Sequence, residues 1–160
     1  MKIIAHRGNR DGKNGSRENS LESIMTCIEN NYDVEIDIRY IGSEFYLGHD
    51  NGQYKVNIED LLRVADYLWV HCKNIESLEE LSKGNYKGLF NYFWHEKDDY
   101  TLTSKGYIWC YPGAKLSPSS IYVMPEWVIN RNDFNNLKAL EIEGICTDYP
   151  DILRSMLNSP

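Results

Sequence analysis

The sequence alternates between short apolar runs typical of β-strands and segments with helical periodicity, and this alternation constrains the fold most. Strands are predicted over residues 2–5, 34–38, 45–47, 67–73, 89–94, 107–111, 121–124 and 145–147. Helices are predicted after Asn19, which can form a capping box with Glu22, and over residues 58–65, 75–82, 134–140 and 151–157. Strands that alternate with helices pair in parallel through right-handed crossovers.

The count of seven or eight strands predicts an α/β fold, a small (β/α) TIM-type barrel with some helices shortened or missing. Helices must be short or absent because a typical barrel of this kind needs ~250 residues, whereas this chain has 160. An open doubly wound sheet is the competing architecture. The sequence shows no internal repeat, low-complexity segment or linker, so residues 1–160 are expected to form a single domain.

Composition excludes several classes of function. The net charge is −7 and no Lys/Arg-rich run occurs, so nucleic acid is not an expected partner. No apolar stretch approaches the ~20 residues of a membrane span, and no secretion signal is evident, so a cytoplasmic protein without membrane insertion is expected. The cysteines form no C-x-x-C pair, which disfavours a disulfide framework. They are Cys27, Cys72, Cys110 and Cys146.

Residues able to carry chemistry follow the first strand. His6 is suited to proton transfer near neutral pH, Arg7 can bind a phosphate through two hydrogen bonds, and Gly8 permits a sharp turn. The C-terminal ends of parallel strands are where α/β folds bind ligands. A single histidine in such a position is more often structural, so His6 gains significance only together with other groups.

Two carboxylates occur on the second strand. Glu35 and Asp37 are two residues apart and therefore point to the same face of the strand. Adjacent carboxylates repel each other unless a cation joins them or one takes a proton. Oxygen ligands favour Mg²⁺, Ca²⁺ or Mn²⁺, so the pair predicts a divalent-metal site. The alternative is a solvent-facing acidic edge of an amphipathic strand.

Further polar residues end the next strands. His49 is followed by Asp50, which can orient its ring, and His71 and Lys73 share a face that would enter the same interior as the acidic pair. A lysine in that position needs a phosphate or a carboxylate partner. Two proton-transfer groups beside a metal-held phosphate form a site able to cleave a phosphodiester. His95 and Glu126 also end strand-like runs, where a packing or surface role is expected.

The ordered set of motifs resembles the glycerophosphodiester phosphodiesterase family, a metal-dependent group built on a (β/α)₈ barrel. The matching segments are Ile4-Ala5-His6-Arg7-Gly8, Glu18-Asn19-Ser20, Glu35-Ile36-Asp37-Ile38-Arg39, His49-Asp50 and Gly144-Ile145-Cys146-Thr147-Asp148-Tyr149-Pro150. The resemblance implies an enzyme of the phosphoric diester hydrolase class. It spans the chain from first to last strand, with a poor match in the middle third.

The resemblance also implies roles for single residues. His6 and His49 would be the general acid and base, and Glu35 and Asp37 would bind the metal. The residues implied to bind or support substrate are Arg7, Lys73, Glu18 and Asn19. Asp148 lies in the closing strand signature, where a structural role is equally expected.

Two departures from the family pattern bear on function. His71 stands where the family has a glutamate ligand, and a nitrogen ligand shifts preference toward Mn²⁺ or Zn²⁺. The usual insertion between the Asp37 and Lys73 strands is missing, so glycerophosphodiesters need not be the substrate. A degenerate barrel that binds a phosphorylated ligand without turnover is the alternative, and a lyase of the related phospholipase-D-like toxin type is a third hypothesis. The oligomeric state is not determined by the sequence.

Overall fold

The computed structural model describes residues 1–83 and 86–159. Its strands are β1 (Lys2–His6), β2 (Asp33–Ile41), β3 (Glu44–Leu47), β4 (Tyr54–Val56), β5 (Leu68–Cys72), β6 (Asn91–Phe93), β7 (Tyr100–Leu102), β8 (Ile108–Cys110), β9 (Ser120–Val123) and β10 (Gly144–Thr147). Its α-helices are α1 (Leu21–Glu29), α2 (Ile58–Leu62), α3 (Ile75–Ser82) and α4 (Pro150–Leu157). Within residues 1–83 and 86–159, 3-10 helices cover Ala65–Tyr67, Pro125–Trp127 and Arg131–Ala139.

Parallel strands form a curled sheet in the order β6-β5-β2-β1-β10-β9-β8. Because the first strand pairs with the last, and the others follow in chain order on either side, this is the strand order of a barrel. The predicted barrel is therefore confirmed, and the open doubly wound sheet is wrong. The ring of strands has a seam between β6 and β8, where β7 pairs antiparallel with β8. Ser104 crosses part of this seam by donating its backbone N–H to the Tyr92 carbonyl, 2.8 Å away.

Helices are short or absent around much of the barrel, as predicted from the chain length. The segment between β8 and β9 contains no helix, and α2 has only five residues. A β-hairpin extends the sheet instead, since β3 pairs antiparallel with the end of β2 and β4 with β3. Among the described residues, no helix is long and apolar enough to cross a bilayer.

Side chains that alternate along the strands fill the barrel in layers. Inward-facing apolar residues pack the interior, so that it is a solid core and not a pore. This layer includes Ile4, Trp69, Phe93, Trp109, Ile121, Val123 and Cys146. Two residues further along three of these strands stand His6, His71 and Asp148, which are polar. The apolar layer thus forms a floor beneath a polar layer at the C-terminal ends of the strands.

The opposite faces of the strands pack against the helices. Val34, Ile36 and Ile38 of β2 are buried in one outer cluster, which also receives Ile24 and Cys27 from α1. A second outer cluster covers the other side with residues of β10, α4 and the 3-10 helix at Arg131–Ala139. Burial on both faces explains why β2 alternates between aliphatic and acidic side chains without reaching solvent.

Several predicted boundaries differ from the structure. Ser20, not Asn19, caps α1, because its hydroxyl accepts the Ser23 backbone N–H while Asn19 adopts a left-handed conformation (φ 60°) and turns toward β2. The predicted helix over 58–65 stops at Leu62, and the one over 134–140 is a 3-10 helix. Strands β4 and β7 were not predicted, because each has only three residues with a polar one in the middle, whereas the equally short β6 and β8 lie within longer apolar runs.

Candidate active site

His6, the last residue of β1, is held by a residue from the opposite end of the sequence. Its ring Nδ1 lies 2.8 Å from Asp148 Oδ1 just after β10, and its Nε2 lies 3.9 Å from Glu35 Oε2. The side-chain amide of Asn9 donates to Asp148 Oδ1 at 2.8 Å and to Glu18 Oε1 at 3.1 Å. The Asp148 contact fixes the imidazole plane and leaves Nε2 facing the acidic pair.

The carboxylates of Glu35 and Asp37 are buried in the polar layer. Arg7 contacts both, since its backbone N–H donates to Glu35 Oε2 at 3.1 Å and its Nε forms an ion pair with Asp37 Oδ2 at 3.0 Å. Asn19 donates to Asp37 Oδ2 at 2.9 Å and accepts the Asp37 backbone N–H at 2.8 Å. The alternative of a solvent-facing acidic edge is excluded by this burial.

His71 on β5 completes a cluster with the two carboxylates. Its Nε2 lies 2.8 Å from the carbonyl oxygen of His95 and must be the donor, because a carbonyl only accepts. In the neutral ring Nδ1 then carries a lone pair, which faces Asp37 Oδ1 at 3.3 Å and Glu35 Oε1 at 3.8 Å. The ring is stacked on Phe93 with a centroid separation of 5.0 Å. Three atoms with lone pairs, one per residue, lie within 4.8 Å of one another.

His49 reaches the same mouth from the loop after β3. Its Nδ1 lies 2.7 Å from Asp50 Oδ1, as the sequence predicts. Arg39 holds the loop in place by donating to the carbonyl oxygens of Gly48, His49 and Lys73 at 3.4, 2.6 and 3.2 Å. Arg39 therefore connects the His49 loop to the end of β5.

Gly48 sets the path of the His49 loop. Its φ is +143°, and a Cβ built there would lie 2.2 Å from the backbone oxygen of Asn51. Replacing Gly48 with alanine is therefore expected to lower the free energy of unfolding by about 1–3 kcal/mol, measured by chemical denaturation. Gly15 is the control, because nothing lies within 4 Å of its added Cβ. Equal stability of the Gly48→Ala and Gly15→Ala variants would contradict the steric argument.

A cavity of about 210 Å³ opens beside His49 and is lined by Arg7, Glu18 and Asn19 among others. Some of the predicted substrate-binding side chains form hydrogen bonds within the protein. Glu18 Oε2 accepts from Arg7 at 3.3 Å, and Asn19 accepts the Asp37 backbone N–H of β2. Lys73 lies where its charge contributes to lowering the pKa of His49. Two cationic side chains, Arg7 and Lys13, thus line this cavity together with His49, and the space is large enough for a small anion.

The two candidate proton-transfer histidines have pKa values displaced in opposite directions. Burial alone would lower the pKa of His6, but the hydrogen bond to Asp148 and the charges of Glu35 and Asp148 raise it above its ordinary value of 6.5. Burial, together with the positive charges of Arg7 and Lys73, lowers the pKa of His49 below 6.5. Of the two rings, His6 therefore holds its proton more strongly and His49 more weakly.

The pKa values of Glu35 and Asp37 are also displaced in opposite directions. Burial and the neighbouring Asp37 charge raise the pKa of Glu35. Burial would raise the pKa of Asp37 as well, but its other interactions, among them those with Arg7 and Asn19, outweigh burial and lower it. Asp37 Oδ1 has no hydrogen-bond partner among the described residues. A buried, ionised oxygen without a donor is the position at which a cation fits.

Asn9, Arg39 and the Asp148 contact are the functional features that sequence reasoning missed or left open. Arg39 shares the face of the acidic pair by its spacing of two residues, which is a usable signal. The role of Asn9 has no signal in the sequence, because its hydrogen-bond partners, Glu18 and Asp148, lie 9 and 139 residues away.

The fold defined above is a small parallel β-barrel with polar groups collected at the C-terminal ends of its strands. Solved structures with this fold include glycerophosphodiester phosphodiesterases. The one from Agrobacterium tumefaciens is 12% identical, with a TM-score of 0.64, and the match covers 99% of this chain and 100% of that chain. One from Parabacteroides distasonis is 16% identical, with a TM-score of 0.61 and coverage of 98% and 96%. The sequence matches no protein-family model and no curated protein. At the level of the fold, the resemblance stated from the motifs is confirmed.

Proposed function

We propose that the protein is a metal-dependent phosphodiesterase that cleaves a small, glycerophosphodiester-like substrate by acid–base catalysis with His6 and His49. The observation that carries this proposal is the convergence, at one mouth of the barrel, of two imidazoles with opposed pKa shifts and a cluster of three lone-pair atoms. The named activity of the structural neighbours supports the same reaction class.

The residues present fit a divalent cation. Glu35, Asp37 and His71 would hold it, since their ligand atoms converge and Asp37 Oδ1 lacks any other partner among the described residues. Mg²⁺, Ca²⁺ and Mn²⁺ accept the two carboxylates, and the His71 nitrogen favours Mn²⁺ within this set. When bound, such a cation neutralises charge on the phosphate and polarises its oxygens.

Proton transfer is assigned from the environments of the two rings. His49, with its lowered pKa, takes the proton from the attacking oxygen, which belongs to water or to a neighbouring hydroxyl of the substrate. His6, with its raised pKa, donates a proton to the leaving alkoxide. Asp148 keeps Nδ1 of His6 engaged, so that Nε2 is the atom that donates. Arg7 and Lys73 add positive charge for the phosphate.

The rate of glycerophosphodiester hydrolysis is expected to follow a bell-shaped pH profile. It falls below the lowered pKa of His49, where the base becomes protonated, and above the raised pKa of His6, where the acid is lost. The two limbs therefore lie on either side of 6.5. In Asp148→Asn the alkaline limb moves to lower pH, because the group that raises the His6 pKa is gone, whereas the acid limb stays. The measurement is kcat/KM against pH with Mn²⁺ present.

A profile with no alkaline limb, or one that Asp148→Asn leaves in place, would remove the assignment of His6 as the acid. No turnover of any phosphodiester would favour the second candidate function, a barrel that binds a phosphorylated ligand without catalysis. The departure at His71 supports that alternative, while the paired imidazoles support catalysis. The four cysteines are buried free thiols, which supports the proposed cytoplasmic location, whereas a role in lipid metabolism rests on the proposed substrate alone.

A further inference from the structure

A line of aromatic rings runs from the proposed metal cluster to the surface. His71, His95, Tyr111 and Trp127, here called the aromatic row, have successive ring centroids 6.3, 5.8 and 6.0 Å apart. The last three residues follow β6, β8 and β9, whose C-terminal ends lie at the same end of the barrel as the site. The row is therefore continuous with the site.

The outer rings of the row are exposed. Trp127 is 60% exposed and Tyr111 38%, whereas Trp109 on the barrel floor is 4% exposed. Large exposed aromatic side chains that adjoin a catalytic mouth mark a surface with a ligand to cover it. The ring nitrogens of His95 are buried and have no hydrogen-bond partner among the described residues, so they add polar capacity beside the stacking surface.

The backbone that presents Trp127 is fixed. Met124 adopts a left-handed conformation (φ 46°) that turns the chain out of β9 into the 3-10 helix Pro125–Trp127. Within that helix Glu126 Oε1 accepts from Thr147 Oγ1 and from the Asp148 backbone N–H, both at 2.8 Å. The same Asp148 holds His6. A strained and cross-linked support of this kind is typical of a positioned functional group.

We infer that the aromatic row is a specificity subsite that binds a planar ring on the alcohol portion of the phosphodiester. This inference rests on the proposed function for the position of the phosphate. The His95–Tyr111 pair is tilted (41°) and the Tyr111–Trp127 pair is nearly perpendicular (73°), so the row offers both faces and edges to a flat group. The preferred substrates are therefore esters of ring-bearing alcohols rather than of small aliphatic ones.

The test is calorimetric binding of two monoesters, 2-phenylethyl phosphate and ethyl phosphate, in buffer with Mn²⁺. We expect the phenyl compound to bind about three- to tenfold more tightly, and the preference to vanish in Trp127→Ala and Tyr111→Ala and to return in part in Trp127→Phe. Tyr67→Ala is the matched control. Tyr67 is 46% exposed but precedes β5, at the other end of the barrel, and its removal leaves the preference unchanged.

Equal affinity for the two monoesters in the parent protein overturns the inference, as does a preference that persists in the Trp127→Ala, Tyr111→Ala double variant. Binding of monoesters involves no bond cleavage. A protein that shows the ring preference but hydrolyses no diester would therefore overturn the proposed function and leave the subsite standing.

Discussion

Replacing either His6 or His49 with alanine is expected to lower kcat for phosphodiester hydrolysis by about 10²–10⁴-fold, the range typical of a lost general acid or base. The two losses arise at different atoms. Without His6 the leaving alkoxide departs unprotonated, and without His49 the attacking oxygen keeps its proton. A substrate with a highly acidic leaving alcohol should therefore rescue His6→Ala but not His49→Ala. Steady-state kinetics with alkyl and 4-nitrophenyl esters provides the comparison.

Metal affinity is the control for this pair of variants. Neither histidine belongs to the cluster of Glu35, Asp37 and His71, so Mn²⁺ binding measured by calorimetry should remain within a fewfold of the parent value. Unchanged rates in both variants would refute the assignment of His6 and His49 as the acid and the base. A rate loss accompanied by lost metal binding would point to a disturbed site and not to missing proton transfer.

Loss of the acidic pair is expected to have the second large effect. In Glu35→Gln, Asp37→Asn the two charged ligands become neutral while their size is kept, so Mn²⁺ binding should no longer be detectable by calorimetry and the metal-dependent rate should fall to background. The melting temperature should change little, whereas the affinity for Mn²⁺ should be lost. The mutual repulsion that helps raise the pKa of Glu35 is relieved at the same time.

A third variant tests how the nitrogen of His71 affects the choice of metal. His71→Glu supplies a carboxylate at the position where the family pattern has glutamate, and it should shift relative affinity from Mn²⁺ toward Mg²⁺ and Ca²⁺. Asp60→Asn, which removes a half-buried carboxylate of α2 that pairs with Arg63, is the control for neutralising a carboxylate and should leave metal binding unchanged. Metal binding by Glu35→Gln, Asp37→Asn equal to that of the parent would refute the cluster as a metal site.

The sequence predicts the site better than the contacts that hold it. The period of two along a strand suffices to place Glu35 beside Asp37, and the parallel order of strands suffices to bring His71 near them. The first inference uses the geometry of one strand, and the second needs only the alternation of strands and helices along the chain. The hydrogen bond between His6 and Asp148 joins residues 142 positions apart, and no local pattern encodes it.

Asn19 illustrates why local rules fail at a functional site. Asparagine before an apolar helix is a strong capping signal, and Ser20 next to it is another. The choice between them was decided by Asp37, whose buried carboxylate and backbone N–H both bond to the Asn19 side chain. Tertiary demand for a hydrogen-bond partner outweighed the cap, and this demand is visible only once β1 and β2 are paired.

The seam beside β6 separates the proposed catalytic groups from part of the proposed ring subsite. His6, Glu35, Asp37 and His71 lie on strands joined by unbroken ladders, from β5 through β2 to β1. In the proposed subsite, His95 and Tyr111 follow β6 and β8, the strands on the two sides of the seam. Insertions or deletions there would alter the breadth of the pocket while the reactive groups stay in register.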